Sequence, residues 1–105
     1  MTTITVYNKA VRDRIPEIII ESGLRCTYKV LSDEEFLTYL EKKLHEELSE
    51  YDTSKSVMEL ADLIEIVYRI AELRDTSIVE LEKIRVEKQK KRGGFEKNLF
   101  LIETK

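Results

Sequence analysis

Phe36, Leu37, Leu40, Leu44, Leu48 and Tyr51 recur in steps of three and four, the spacing that gathers side chains on one face of an α-helix. The pattern predicts an amphipathic helix from Asp33 to about Tyr51, opened by a capping box between Ser32 and Glu35. A polar break, DTSKS, precedes a second helix from about Lys55 to Leu73. There Leu60, Ala61, Ile64, Tyr68 and Ala71 form one apolar face, and Leu63, Ile66, Val67 and Ile70 broaden it, leaving mainly Glu65, Arg69 and Glu72 for solvent. Asp75, Thr76 and Ser77 offer caps for a third helix reaching about Arg92, with Ser77 and Glu80 as a second capping box and Gly93-Gly94 as the stop. Upstream, Pro16 suits the first turn of a short helix with Asp13 as its cap, the run Ile18 to Ile20 inside it and Gly23 at its end. The segments TTITVYN (2–8), CTYKVLS (26–32) and FEKNLFLIET (95–104) carry β-branched and aromatic residues that suit short strands or extended arms. The expectation is an all-α, four-helix-type domain over 1–105 with short extended or strand-like N- and C-terminal segments.

Composition narrows this further. A chain of 105 residues holds one modest core, and 42% apolar with 37% charged residues, three glycines and one proline favour helices over disorder or a many-turned β fold. The net charge of −3 is spread along the chain, so no nucleic-acid polymer is expected as a partner. Cys26 stands alone, which excludes an internal disulfide and a multi-cysteine zinc site. The absence of a secretory pattern or a long apolar run predicts a soluble cytoplasmic protein with no membrane partner.

The apolar faces contain residues that do not belong there. Glu47 falls inside the leucine stripe of its helix with Glu50 at the edge, and Glu59 projects with Ile66 and Ile70 while Asp62 lies on the border. Each pair is three residues apart and meets on one side of its helix. An antiparallel hairpin across DTSKS brings both pairs to the same end, so that four carboxylates share one small volume. Repulsion and desolvation there cost several kcal/mol per uncompensated ion, which protonation, basic partners or bound cations must offset. Hard oxygen ligands in this number favour Mg²⁺ or Mn²⁺. The plainer alternative is that Glu59 closes a capping box with Ser56 and that Glu46, Glu47 and Glu50 form a solvated acidic face. A cap leaves the interruption of the leucine stripe by Glu47 without a cause.

The strings EELSE (46–50) and ELAD (59–62) resemble the E-E-x-x-E and E-x-x-D signature of the all-α nucleoside triphosphate pyrophosphohydrolases, the MazG and phosphoribosyl-ATP pyrophosphohydrolase superfamily. NKAVRDRIPEIIIESG resembles the opening of a small MazG-like branch, and KRGGFEKNLFLIE resembles its closing segment. The resemblance implies that Glu47, Glu50, Glu59 and Asp62 are metal ligands, with Glu46 as an outer-shell or catalytic base residue. It also implies a homodimer or homotetramer. The eight-residue gap between Glu50 and Glu59 is shorter than in many members of that superfamily.

The implied chemistry is Mg²⁺-dependent cleavage of a nucleoside triphosphate to the monophosphate and pyrophosphate, in which divalent charge binds phosphates and activates water. Lys88, Lys91 and Arg92, beside Gly93 and Gly94, are candidate phosphate-binding groups, or alternatively complements to a helix dipole. Lys9, Arg12 and Asp13 of the opening motif are candidates to border the nucleotide, with structural ion pairing as the alternative. Phosphoribosyl-ATP is the second substrate expectation, and a non-catalytic helical oligomerisation module is the alternative from a different class. His45, on the polar side of its helix without a second histidine nearby, is assigned no role.

Overall fold

The computed structural model describes residues 3–105 and contains four α-helices: α1 (Ile15–Glu21), α2 (Asp33–Ser54), α3 (Val57–Leu73) and α4 (Ile78–Arg92). The fold is all-α. No strand occurs among the described residues, so the segments expected to be strand-like run as irregular backbone; Thr2 lies outside the described residues. A lone short segment such as 26–32 has no strand partner among the described residues to take up its backbone hydrogen bonds. No helix is long and apolar enough to cross a membrane.

Local chemistry sets the helix ends. Ser32 and Ser77 accept hydrogen bonds from the backbone N–H groups of Glu35 (3.2 Å) and Glu80 (3.1 Å), as expected of N-cap serines. The expected cap of α1 is corrected: Arg14, not Asp13, occupies the N-cap and makes no side-chain cap bond, while Pro16 sits in the first turn as predicted. Gly23, at φ +93°, ends that segment in the left-handed region glycine reaches without steric cost.

α2 runs one turn beyond its expected end, so the α2–α3 connection is only Lys55 and Ser56. Lys55 closes α2 at φ +56°, its N–H donating to the Tyr51 carbonyl (2.8 Å). A β-branched residue is strained in that conformation. Lys55→Val should therefore lower the unfolding free energy by about 1 kcal/mol relative to Lys55→Gly, measured by urea denaturation.

α2 packs on α3, and α3 on α4, whereas α1 stands off from the other helices. The core is small: Ala10, Leu40 and Ile66 are buried, with Phe36, Leu44, Ile70 and Leu73 packed against them. Ala10 belongs to the N-terminal arm, which is thereby pinned onto the α2–α3 hairpin. Arg74 bonds Glu41 (3.1 Å) at the end of the hairpin away from the turn, and the Tyr68 hydroxyl donates to Glu82 (3.3 Å) between α3 and α4.

Much apolar surface stays outside this core. The radius of gyration is 18.4 Å, against about 13 Å for a compact domain of this length. On α3, Val57, Leu60, Ile64 and Val67 are exposed at three- and four-residue steps. After Gly93 the chain leaves α4 as an exposed tail carrying Phe95, Leu99, Phe100, Leu101 and Ile102.

Candidate metal centre

The face of α2 that meets α3 is not quite the predicted stripe. Phe36, Leu40 and Leu44 lie in the packed face, but Leu48 is 51% exposed and Glu47 is only 7% exposed. The buried line thus runs 36, 40, 44, 47, in helical steps of four, four and three. In α3 the packed residues Ile66, Ile70 and Leu73 extend toward the turn as Asp62 and Glu59, both half-buried. One interhelical seam is therefore apolar through most of its length and acidic at the turn end. That continuity answers why carboxylates interrupt hydrophobic faces.

Two groups of carboxylates result. Ligand oxygens of Glu46, Glu47 and Glu50 all lie within 4.8 Å of one another, as do those of Glu47, Glu59 and Asp62. Glu47 is common to both. All five acidic residues singled out in the sequence are drawn to the turn end of the hairpin, linked through Glu47. Ser56 caps α3 by accepting from the N–H of Met58 (3.2 Å). No side-chain bond joins Glu59 to Ser56 among the described residues, so the capping-box explanation of Glu59 fails, and its carboxylate faces the acidic group instead.

Charge balance within the group is incomplete. Lys43, also largely buried, is 3.7 Å from Oε1 of Glu47, an ion-pair separation too long for a good hydrogen bond. Oε2 of Glu47 is buried without any hydrogen-bond partner. Burial, followed by the carboxyl of Glu50 beside it, pushes Glu47 up to about 7, against the smaller opposing effect of Lys43. A buried carboxylate grouped with further carboxylates is compensated either by a proton shared with Glu50 or by a hard cation.

Two cations of the N-terminal arm reach this group. Arg12 donates to Oδ1 of Asp62 at 2.6 Å, and Lys9 donates to Oε1 of Glu46 at 3.1 Å. Both pairs are partly exposed. Ala10, buried against the hairpin, lies between them in sequence and fixes where they reach. Asp13 faces elsewhere: it borders a separate shallow recess with Pro16, Glu17 and Tyr28. Lys88, Lys91 and Arg92 are exposed in the last turns of α4, and no ion pair joins them to the acidic group among the described residues. His45 is exposed.

An open recess of about 620 Å³ adjoins the carboxylates, lined by Glu46, Ser49, Glu50, Thr53, Ser54 and Glu59. The hydroxyls of this recess and the ammonium of Lys43 were not singled out in the sequence, although Lys43 stands one helical turn before Glu47 and so shares its face. No family model matches the chain, and neither a curated protein nor a solved structure matches it.

Proposed function

We propose that this chain is a cytosolic, Mg²⁺-dependent pyrophosphohydrolase of the MazG-like kind, which cleaves a nucleoside triphosphate to the monophosphate and pyrophosphate. The observation that carries the reading is Glu47, a buried carboxylate with an unpartnered oxygen at the junction of two carboxylate groups. The resemblance of EELSE and ELAD to the superfamily signature supports the same assignment. Glu47, Glu50, Glu59 and Asp62 would hold the metal. Magnesium, when bound, supplies positive charge against the phosphates and makes a water easier to deprotonate; Mn²⁺ offers the same chemistry.

The chain's own groups perform the remaining tasks. Glu46, at the rim of the recess, is the candidate base that takes the proton of the attacking water. As the water oxygen bonds to the α phosphorus, the bond from that phosphorus to the α–β bridging oxygen breaks; the bridging oxygen leaves with pyrophosphate and the water oxygen stays in the monophosphate. Ser49 and Ser54 offer hydroxyl donors along the open side, while the Thr53 hydroxyl donates to the Ser49 carbonyl.

The active unit is proposed to be a homo-oligomer. Val57, Leu60, Ile64 and Val67 form an exposed apolar stripe on α3, and the chain alone is more extended than a compact domain. Burying that stripe against a second copy would give the helix the cover its sequence calls for.

The test is release of pyrophosphate from a panel of nucleoside triphosphates with Mg²⁺ or with a chelator. Pyrophosphate and monophosphate in equal amounts, formed only with the metal, are the expected result. Phosphoribosyl-ATP belongs in the panel as the competing substrate. Absence of pyrophosphate from every substrate would sink the hydrolase reading.

A further inference from the structure

The acidic group is already occupied at two edges by cations of its own chain. Arg12 sits 2.6 Å from Asp62, and Lys9 sits 3.1 Å from Glu46. Between them Ala10 is 5% exposed, packed with Leu40 and Ile66. The arm is thus a tether: its anchor is buried while its charged ends stay partly exposed. The inner oxygen of Glu47 receives neither of them.

We infer that Arg12, with Lys9, is a tethered counter-cation that competes with a divalent metal for the acidic group and, once displaced, turns to the triphosphate. This rests on the metal reading above and extends it to the order in which ligands assemble. While Arg12 holds Asp62, one of the carboxylates proposed to bind metal is spent on an internal pair. Surface pairs of this kind are weak, so the arm attenuates metal binding without preventing it.

Release of Asp62 leaves a guanidinium with donors in a fixed fork, held by Ala10 near a site that receives a polyanion. Phosphate oxygens then accept what Asp62 gave up. Metal and triphosphate each favour the same displaced arm, and linkage requires that each raise the affinity for the other by the same factor. The metal-free chain is thereby protected from part of the repulsion among its carboxylates. The chemistry selects an anionic phosphate chain over an uncharged nucleoside.

The experiment is calorimetric titration of the full chain with magnesium chloride, and then with a non-hydrolysable α,β-methylene triphosphate at saturating Mg²⁺. Arg12→Gln should bind Mg²⁺ alone on the order of three- to tenfold more tightly than wild type, because a competing cation is lost, and should bind the analogue more weakly by a similar factor. These opposite signs separate exchange from a merely structural role, which moves both affinities together. Arg12→Lys keeps the charge and should hold the Mg²⁺ affinity within about twofold of wild type. Arg14→Gln removes the same charge from a residue paired with Glu17 at 3.3 Å, away from the acidic group, and should leave both affinities unchanged.

Lys9→Gln removes the cation at the other edge, beside Glu46, and should also tighten Mg²⁺ through the loss of positive charge near the ligands, which decides the matter should Arg12→Gln fail to fold. Unchanged or weaker Mg²⁺ binding in folded Arg12→Gln, with normal uptake by wild type, overturns the exchange alone. No uptake by any of these chains overturns the exchange and the metal reading together.

Discussion

Glu47→Gln is expected to abolish Mg²⁺ uptake and pyrophosphate release while making the metal-free chain more stable. The glutamine is nearly isosteric, so the seam beside Leu44 keeps its volume, but the buried negative charge disappears. Two roles for Glu47 predict opposite stability changes. If the ion pair with Lys43 secured the hairpin, removing one member would leave a buried charge uncompensated and cost about 3–5 kcal/mol. The observed pair is 3.7 Å long, and the other oxygen of Glu47 has no partner. Attraction is then too weak to repay desolvation, and a gain of about 1–3 kcal/mol in urea denaturation is the expected sign and size. The amide also gains a donor toward the neighbouring carboxyl of Glu50, which loses one of its repulsive partners. Loss of the proposed metal ligand common to both carboxylate groups should lower turnover by at least about 100-fold. A less stable variant that still binds Mg²⁺ would assign Glu47 to the scaffold and leave the site without its central member.

The parts of this molecule legible in its sequence are those governed by near neighbours. The cap serines Ser32, Ser56 and Ser77, the first-turn Pro16 and the leucine spacing act within a few residues, and the four helices follow from them. The acidic pairs were legible for the same reason, since three-residue spacing and a two-helix hairpin are enough to bring them to one end. Glu47 and Leu48 show where periodicity stops deciding. They stand about 100° apart on α2, and either could have entered the seam; the approach of α3 buries Glu47 and leaves Leu48 outside. The salt bridges from Lys9 and Arg12 span 37 and 50 positions of sequence, so nothing local announces their partners. Residues such as Phe95 and Phe100 suit a strand by composition, but a strand exists only where another accepts its ladder. Among the described residues the tail meets none, and Phe95 is 98% exposed.

The stability of the metal-free chain should fall as pH rises from about 4.5 through about 7, and Mg²⁺ should oppose that fall increasingly toward alkaline pH. Glu47 stands at about 7 in the folded chain against 4.5 in its ordinary setting, with burial as the largest cause, the carboxyl of Glu50 next, and Asp62 adding to it. Between those two values the folded chain binds more protons than the unfolded chain, so each rise in pH favours unfolding. The contribution is fully present below about 4.5, is lost as the folded group titrates, and amounts to about 3 kcal/mol over the whole window. Metal binding at the proposed site should have the reverse dependence, because a ligating Glu47 must be deprotonated. Affinity for Mg²⁺ should climb about tenfold per pH unit below about 7 and level above it. Since ligand stabilisation grows with the ratio of free metal to its dissociation constant, the gap between melting temperatures in Mg²⁺ and in chelator widens across the same window. Thermal melts from about pH 5 to about pH 8 read both slopes. Other carboxylates titrate too, so the difference between wild type and Glu47→Gln is the informative quantity: the variant should lose the Glu47 share of the slope along with the metal-dependent gap. An equal Mg²⁺ effect at both ends of the range would mean that the metal does not displace a proton from Glu47, and the buried carboxylate would then have no part in holding it.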